Sequence, residues 1–148
     1  MAGMLHGKIL RSPHAHARIK SIDVSKALAL PGVKAVVTSA DFAQPGGKVA
    51  DLGEGAMANP KWISNNCMAA EKALYKGHAV AAVAATSMQE ADEAIALIDV
   101  DYEVLPAVID LETAMKDGAA VLHERLANSE NANIRPGGLR DDDDSGKA

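Results

Sequence analysis

The sequence contains one cysteine, Cys67, and four aromatic residues, Phe42, Trp62, Tyr75 and Tyr102, in 148 positions. A lone thiol forms no internal disulfide and has no CxxC partner, so a disulfide framework is excluded and a reducing compartment, the cytoplasm, is expected. With so few aromatics, the core has to be built from Ala, Val, Ile and Leu in closely spaced layers. No apolar run approaches the roughly 20 residues of a membrane span, and the N-terminus shows no basic stretch leading into an apolar one, so no export signal is expected. Positive charge is scarce as well: the net charge of -5 excludes a broad nucleic-acid surface, which needs clustered Lys and Arg to displace counterions.

What the chain does contain is centred on Ala79 to Ala85, valines among alanines with no polar side chain, preceded by Gly77 and followed by Thr86-Ser87. So short an apolar run fits a strand covered on both faces, and its small side chains imply a close neighbour. Thr86 and Ser87 offer two overlapping capping boxes with Gln89 and Glu90, so a helix is expected from there. Met88, Ala91, Ile95 and Ile98, with Ala94 beside them, supply its apolar face. Asp99 to Leu105 then alternates acidic and apolar residues as a half-buried strand does. Strand, helix and strand in so few residues predict a right-handed βαβ unit.

Met4 to Ser12 reads as a strand, Pro13 to His16 as a turn, and Ala17 to Val24 as a second strand whose slipping apolar phase predicts a β-bulge near Lys20-Ser21. Ser25 is expected to cap a short helix, Lys26 to Leu30, ended by Pro31-Gly32. Val33 to Thr38 is the next strand, and Ser39 to Phe42 a single helical turn. Ala43 to Asn66 is crowded with Gly, Pro and Asn and reads as one long loop, a feature more often functional than filler. Asp110 can cap a helix over Leu111 to Lys116, with Asp117-Gly118 closing it, and Val121 to His123 is expected to return along the fold. The residues after Glu124 turn polar and end in an acidic run, Asp141 to Asp144. Residues 1–125 are therefore expected to form one domain and 126–148 a linker or disordered tail.

Leu5 to Ile19, with its His6-Gly7-Lys8 and Ser12-Pro13-His14-Ala15-His16-Ala17-Arg18 segments, resembles the opening signature of the molybdenum hydroxylase large subunit, the superfamily of xanthine dehydrogenase, aldehyde oxidase and carbon monoxide dehydrogenase. Pro31 to Thr38 with Asp41, Tyr75 to Ala85, Asp101 to Pro106 and Leu122 to Glu124 continue the likeness in order. The resemblance implies the α/β hammerhead fold, a mixed sheet with short helices of the α+β class. It implies a parent subunit that binds molybdenum-molybdopterin in later domains, with 2Fe-2S clusters and FAD in partner subunits or domains. None of the segments that hold the pterin or supply the catalytic base is among these residues, so no catalytic, cofactor-binding or metal residue is assigned. The isolated chain is expected to be inactive, as a piece of a larger oxidoreductase.

The remaining candidates each have a plainer reading. His14 and His16 form an HxH pair with His6 nearby, but no further ligand stands at supporting spacing, so a structural role is expected. His78 is read as a hydrogen-bonded structural histidine, and Cys67 as a buried or half-buried inert thiol. Asp141 to Asp144 is read as a solvated linker, and Gly53-Glu54-Gly55 lacks the flanking elements of a phosphate loop. In the long loop, Met57, Trp62 and Ile63 either anchor it or, by the resemblance, border the substrate funnel of the parent enzyme. Two rival functions remain: a free-standing interaction module that kept the fold, and a small metal-binding protein using His6, His14 and His16.

Overall fold

The structure is a computed structural model that describes residues 2–42, 50–51, 57–58 and 60–123, without the side chains of residues 50, 51, 57, 58 and 62. Its packing divides the chain into two compact units, residues 1–43 with 65–105, and residues 44–64 with 106–148.

The first unit holds two three-stranded sheets. The strands of the first are β1 (His6–Arg11), β3 (Val33–Thr38) and β7 (Ala79–Ala85); those of the second are β2 (Ala17–Asp23), β6 (Lys72–Ala73) and β8 (Asp99–Val104). In the first sheet β7 is central, antiparallel to β1 on one side and β3 on the other. In the second, β2 is central between β6 and β8, again antiparallel to both. Two helices, α1 (Ser25–Leu28) and α3 (Met88–Leu97), complete the unit.

Side-chain alternation decides which face of the first sheet is covered. Ala81, Val83 and Ala85 point to one side and cluster with Ala27, Ala91, Ala94 and Ile98, while Leu10, Val33 and Val36 pack around them. The second sheet joins the same core through Ile22 and Val100. Of the five buried residues that α3 and β7 bring to this cluster, four are alanines, Ala81, Ala85, Ala91 and Ala94, so helix and sheet approach closely.

The start of α3 explains its position. Ser87 Oγ accepts a hydrogen bond from the Glu90 amide, and the Thr86 and Ser87 hydroxyls both donate to Glu90 Oε2, at 2.6 and 2.9 Å. These donors hold the Glu90 carboxyl below the usual carboxylate range. Only the Ser87 box therefore caps the helix, and Thr86 adds its hydroxyl to the same carboxylate instead of pairing with Gln89. Gly32 is buried against this cap, and a side chain there would fall on the Glu90 carboxylate. Its carbonyl accepts from the Thr86 amide at 3.0 Å.

Several sequence expectations are met. The ladder between β2 and β8 shifts between Ile19 and Ser21, which places the bulge at Lys20. Ser39–Asp41 is one 3-10 turn, capped by Thr38 with Asp41 answering. Asp110 Oδ1 accepts from the Thr113 amide at 2.7 Å to cap α4 (Leu111–Ala114), and Gly118 closes the following turn at φ +78°.

Others are corrected. The expected βαβ unit does not form, because both edges of β7 are already occupied by β1 and β3, so the chain leaving α3 pairs in the other sheet as β8. The earlier strand, helix and strand, β2–α1–β3, crosses between the sheets in the opposite direction. On β7 the face of Ala81, Val83 and Ala85 is buried; Val80 is buried as well, and Ala82 and Ala84 are half-buried, so the second face is covered in part. Ser25 opens α1 without capping it; the Asp23 carboxylate accepts from the Ser25 amide at 2.9 Å in its place. Met88 lies at the margin of the helix face, half exposed. Val121 to His123 joins no ladder. The stretch read as one loop contains β4 (Ala50–Asp51) paired with β5 (Met57–Ala58), and then α2 (Pro60–Cys67). Pro60 is the first helical residue, where its missing N–H costs nothing. The acidic run, the Gly53-Glu54-Gly55 segment and the expected tail lie outside the described residues.

The alanine contact sets an expectation for stability. Ala94 is fully buried, so Ala94→Leu should cost about 1–3 kcal/mol by overpacking, whereas Gln89→Leu on the exposed side should cost little. Urea unfolding midpoints of the two variants would check it.

Candidate functional site

The chemistry-bearing side chains of the first unit gather where β1 leaves one sheet and the chain turns into the other. Ser12, buried at the end of β1, exchanges backbone hydrogen bonds with the Gly77-His78 turn: its amide donates to the His78 carbonyl, and the Gly77 amide donates to the Ser12 carbonyl, both at 2.8 Å. Arg11 Nη1 donates to the Gly77 carbonyl at 2.9 Å. Gly77 sits at φ +92°, a conformation that costs glycine little and other residues more.

His78 is completely buried. Its Nδ1 accepts from the Leu74 amide at 3.2 Å, which puts the proton of the neutral ring on Nε2. The Tyr75 ring stacks on the imidazole, centroids 4.4 Å apart and 18° from parallel. Nε2 is buried without a hydrogen bond of good geometry. Burial pushes the imidazole below its ordinary pKa, opposed by the backbone of Asn65 and Asn66. A buried, neutral ring held by the Leu74 amide and stacked on Tyr75 fits the structural histidine expected from the sequence.

On the other side of Ser12 the turn closes on itself. Ser12 Oγ accepts from the His14 amide and donates to the His14 carbonyl, both at 3.1 Å. The His14 ring meets Tyr102 edge-on, centroids 5.1 Å apart. Burial raises the Tyr102 phenol, and its hydrogen bond with Ser12 partly offsets this. The Ser12 hydroxyl is thus engaged with the His14 backbone and with Tyr102, and the arrangement clamps a corner.

His16 is buried, and its carbonyl accepts from the Leu105 amide at 3.0 Å. His6 stands at the opposite end of β1, about 20 Å away at the rise of an extended strand, so the structure does not bring the three histidines together. Among the described residues no group of three or more His, Cys, Asp or Glu side chains could hold a metal ion. Cys67 is exposed at the end of α2, contrary to the buried thiol expected, because the helix ending there turns it outward. Of the loop residues singled out, Met57 lies in β5 and Trp62 in α2, with side chains outside the description, while Ile63 in α2 is 52% exposed. Sequence reading missed the roles of Ser12, Tyr75 and Tyr102. The spacing of Tyr75, Gly77 and His78 around one tight turn was the available signal.

Because the folded chain holds His78 below its unfolded pKa of about 6.5, the unfolded chain binds more protons in the interval between the two values. Stability should therefore fall as pH drops below about 6.5. Urea midpoints at pH 7.5 and 5.5 would show this, and His78→Gln should lower the midpoint at the higher pH while shrinking the difference between the two.

Residues 1–106 match the family described as aldehyde oxidase and xanthine dehydrogenase, a/b hammerhead domain. The chain is 44% identical over 126 residues to the carbon monoxide dehydrogenase large chain of Afipia carboxidovorans, which covers 85% of this chain and 15% of that one. It is 39% identical over 115 residues to the gamma subunit of the 6-hydroxypseudooxynicotine dehydrogenase complex of Paenarthrobacter nicotinovorans, covering 76% of this chain and 14% of that one. Among solved structures, quinoline 2-oxidoreductase from Pseudomonas putida 86 superposes with a TM-score of 0.68 at 43% identity, over 86% of this chain and 16% of that one. The chain thus spans about a seventh of the curated relatives it matches. No described helix is long and apolar enough to cross a membrane. The two antiparallel three-stranded sheets with short helices and the match over residues 1–106 agree, and the chain belongs to the α/β hammerhead domain family of aldehyde oxidases and xanthine dehydrogenases.

Proposed function

We propose that this chain is the hammerhead domain of the molybdenum-binding large subunit of a cytoplasmic hydroxylase, where it acts as a scaffold and takes no part in the chemistry. The observation that carries the reading is the 44% identity to a dehydrogenase large chain of which it covers only 15%. The relatives' names span carbon monoxide, a nicotine derivative and quinoline, at 39–44% identity. A domain that stays this similar while the substrate changes so much does the same structural job in each enzyme.

In the parent, molybdenum-molybdopterin would be held by the rest of the subunit, which makes up about six-sevenths of the relatives' length. The group would supply oxygen-atom and electron transfer, with 2Fe-2S and FAD partners carrying electrons away. This chain's own contribution would be the packed first unit, together with the segment carrying Met57, Trp62 and Ile63 as a border to the substrate's path. The exposed apolar side chain of Ile63 supports that border.

Two measurements test the reading. Immunoblotting of source extracts, with molybdenum analysis of the captured material, should give a band several times larger than 15.4 kDa that carries the metal; a metal-free band at the small mass would end the proposal. In the full enzyme, Trp62→Ala should raise KM several-fold while kcat and the unfolding temperature change less, and an unaltered substrate profile would remove the border role.

A further inference from the structure

The first sheet has a second face. Residues Gly7 and Ile9 of β1, Ala82 and Ala84 of β7, and Ala35 and Val37 of β3 stand side by side in the ladders on the side away from α3. None is charged. Gly7 and Ala35 are exposed, Ile9 is 48% exposed, and Val37, Ala82 and Ala84 are half-buried. In an antiparallel sheet with one wet face, the polar residues of each strand belong on that face. Strand β1 reverses the rule: Lys8 points to the helix side, where it pairs with Asp92 at 2.7 Å, and Ile9 points to the open side. Arg11, at the end of the strand, is tied to the Gly77 carbonyl. The strands are thus built for a sheet covered twice, and the described residues cover the second face only in part: Val80 of β7 is buried, whereas Gly7, Ile9 and Ala35 stay exposed.

We propose that this open face is the seat on which the remainder of the large subunit packs, an inference that rests on the proposed function above. Two features select the occupant. Glycine and alanine at four of the six positions leave only Ile9 and Val37 standing above the sheet, a surface that lets an aliphatic helix or strand approach the backbone closely. The footprint, from a strand spacing of about 4.8 Å and a rise of about 3.4 Å per residue, is on the order of 200–300 Å². A free partner such as a second copy of this chain needs about 800 Å² per side for a stable complex. A covalently attached partner needs far less, because the tether supplies the effective concentration. The relatives are about seven times the length of the matched segment, so such a partner exists in each of them.

The test compares thiol labelling at Ile9→Cys and, separately, Ala84→Cys, in the 148-residue chain and in the complete large subunit isolated from its source background, with Cys67→Ser removing the chain's own thiol. Maleimide modification, located by peptide mass, should be fast in the short chain and at least about tenfold slower in the full subunit. In addition, Ile9→Lys should leave the unfolding temperature of the short chain nearly unchanged while lowering that of the full subunit by several degrees. Equal labelling in both forms would overturn the inference while leaving the proposed function standing. Slow labelling already in the short chain would also overturn it: if the protection depends on protein concentration, a second copy is the occupant, and if not, the chain's own remaining residues are. Absence of any longer native subunit would remove the inference together with the reading beneath it.

Discussion

The constraint on which the first unit depends is the close approach of α3 to β7 through alanine. Eight of the twelve buried apolar residues described are alanines. Each removes little area from water, at roughly 25 cal/mol per Å², so the hydrophobic gain per residue is small. What alanine provides is proximity: Ala81, Ala85, Ala91 and Ala94 let the helix lie directly on the sheet, and packing contacts rather than large side chains hold the layers. The helix must then start in the right place, because a contact surface without large side chains has little to correct a slip. Ser87, Thr86 and Glu90 fix that start, and Gly32 leaves room for them.

Two sheets in one small unit need a corner, and the corner consumes most of the polar chemistry. Ser12, His14, His78 and Tyr102 would suggest a reactive constellation if only their identities were known. Their hydrogen bonds turn inward: hydroxyl to backbone, imidazole Nδ1 to the Leu74 amide, phenol to Ser12, with His78 Nε2 left without a bond of good geometry. Burial of the imidazole makes the junction dependent on its neutral form. The same four residues therefore read as architecture, which agrees with a domain that accompanies unlike substrates in its relatives.

Much of this was legible in the sequence, for identifiable reasons. The strands over Val33 to Thr38 and Ala79 to Ala85 were visible because β-branched and small residues fill them, with Lys34 as the one interruption. The bulge at Lys20 was visible because a slip in side-chain phase has only one structural remedy. Pairing was not legible: the alternation in Asp99 to Val104 shows that one face is buried but not which strand lies alongside, and the βαβ expectation failed there. The helix at Pro60–Cys67 escaped because its polar Lys61, Ser64, Asn65 and Asn66 mask any apolar period, leaving the position of proline as its one sign. Ser25 was misjudged as a cap: it is already the first helical residue, and Asp23, two residues earlier, accepts from its amide.

The expectation that Ala79 to Ala85 is buried on both faces holds for one face and is only partly met on the other, and the difference is itself informative. Sequence pattern reports the surroundings in which a strand works, whereas coordinates of a chain that spans about a seventh of its relatives report only the surroundings which that chain supplies. Where the two disagree at a surface loop, nothing follows. Here they disagree along a ladder of six uncharged residues, with β1 placing its lysine inward and its isoleucine outward. A lysine on the helix side is sustainable because Asp92 answers it at the rim. An isoleucine on the water side gains nothing from that position alone, and its placement becomes favourable only when a second layer removes it from water.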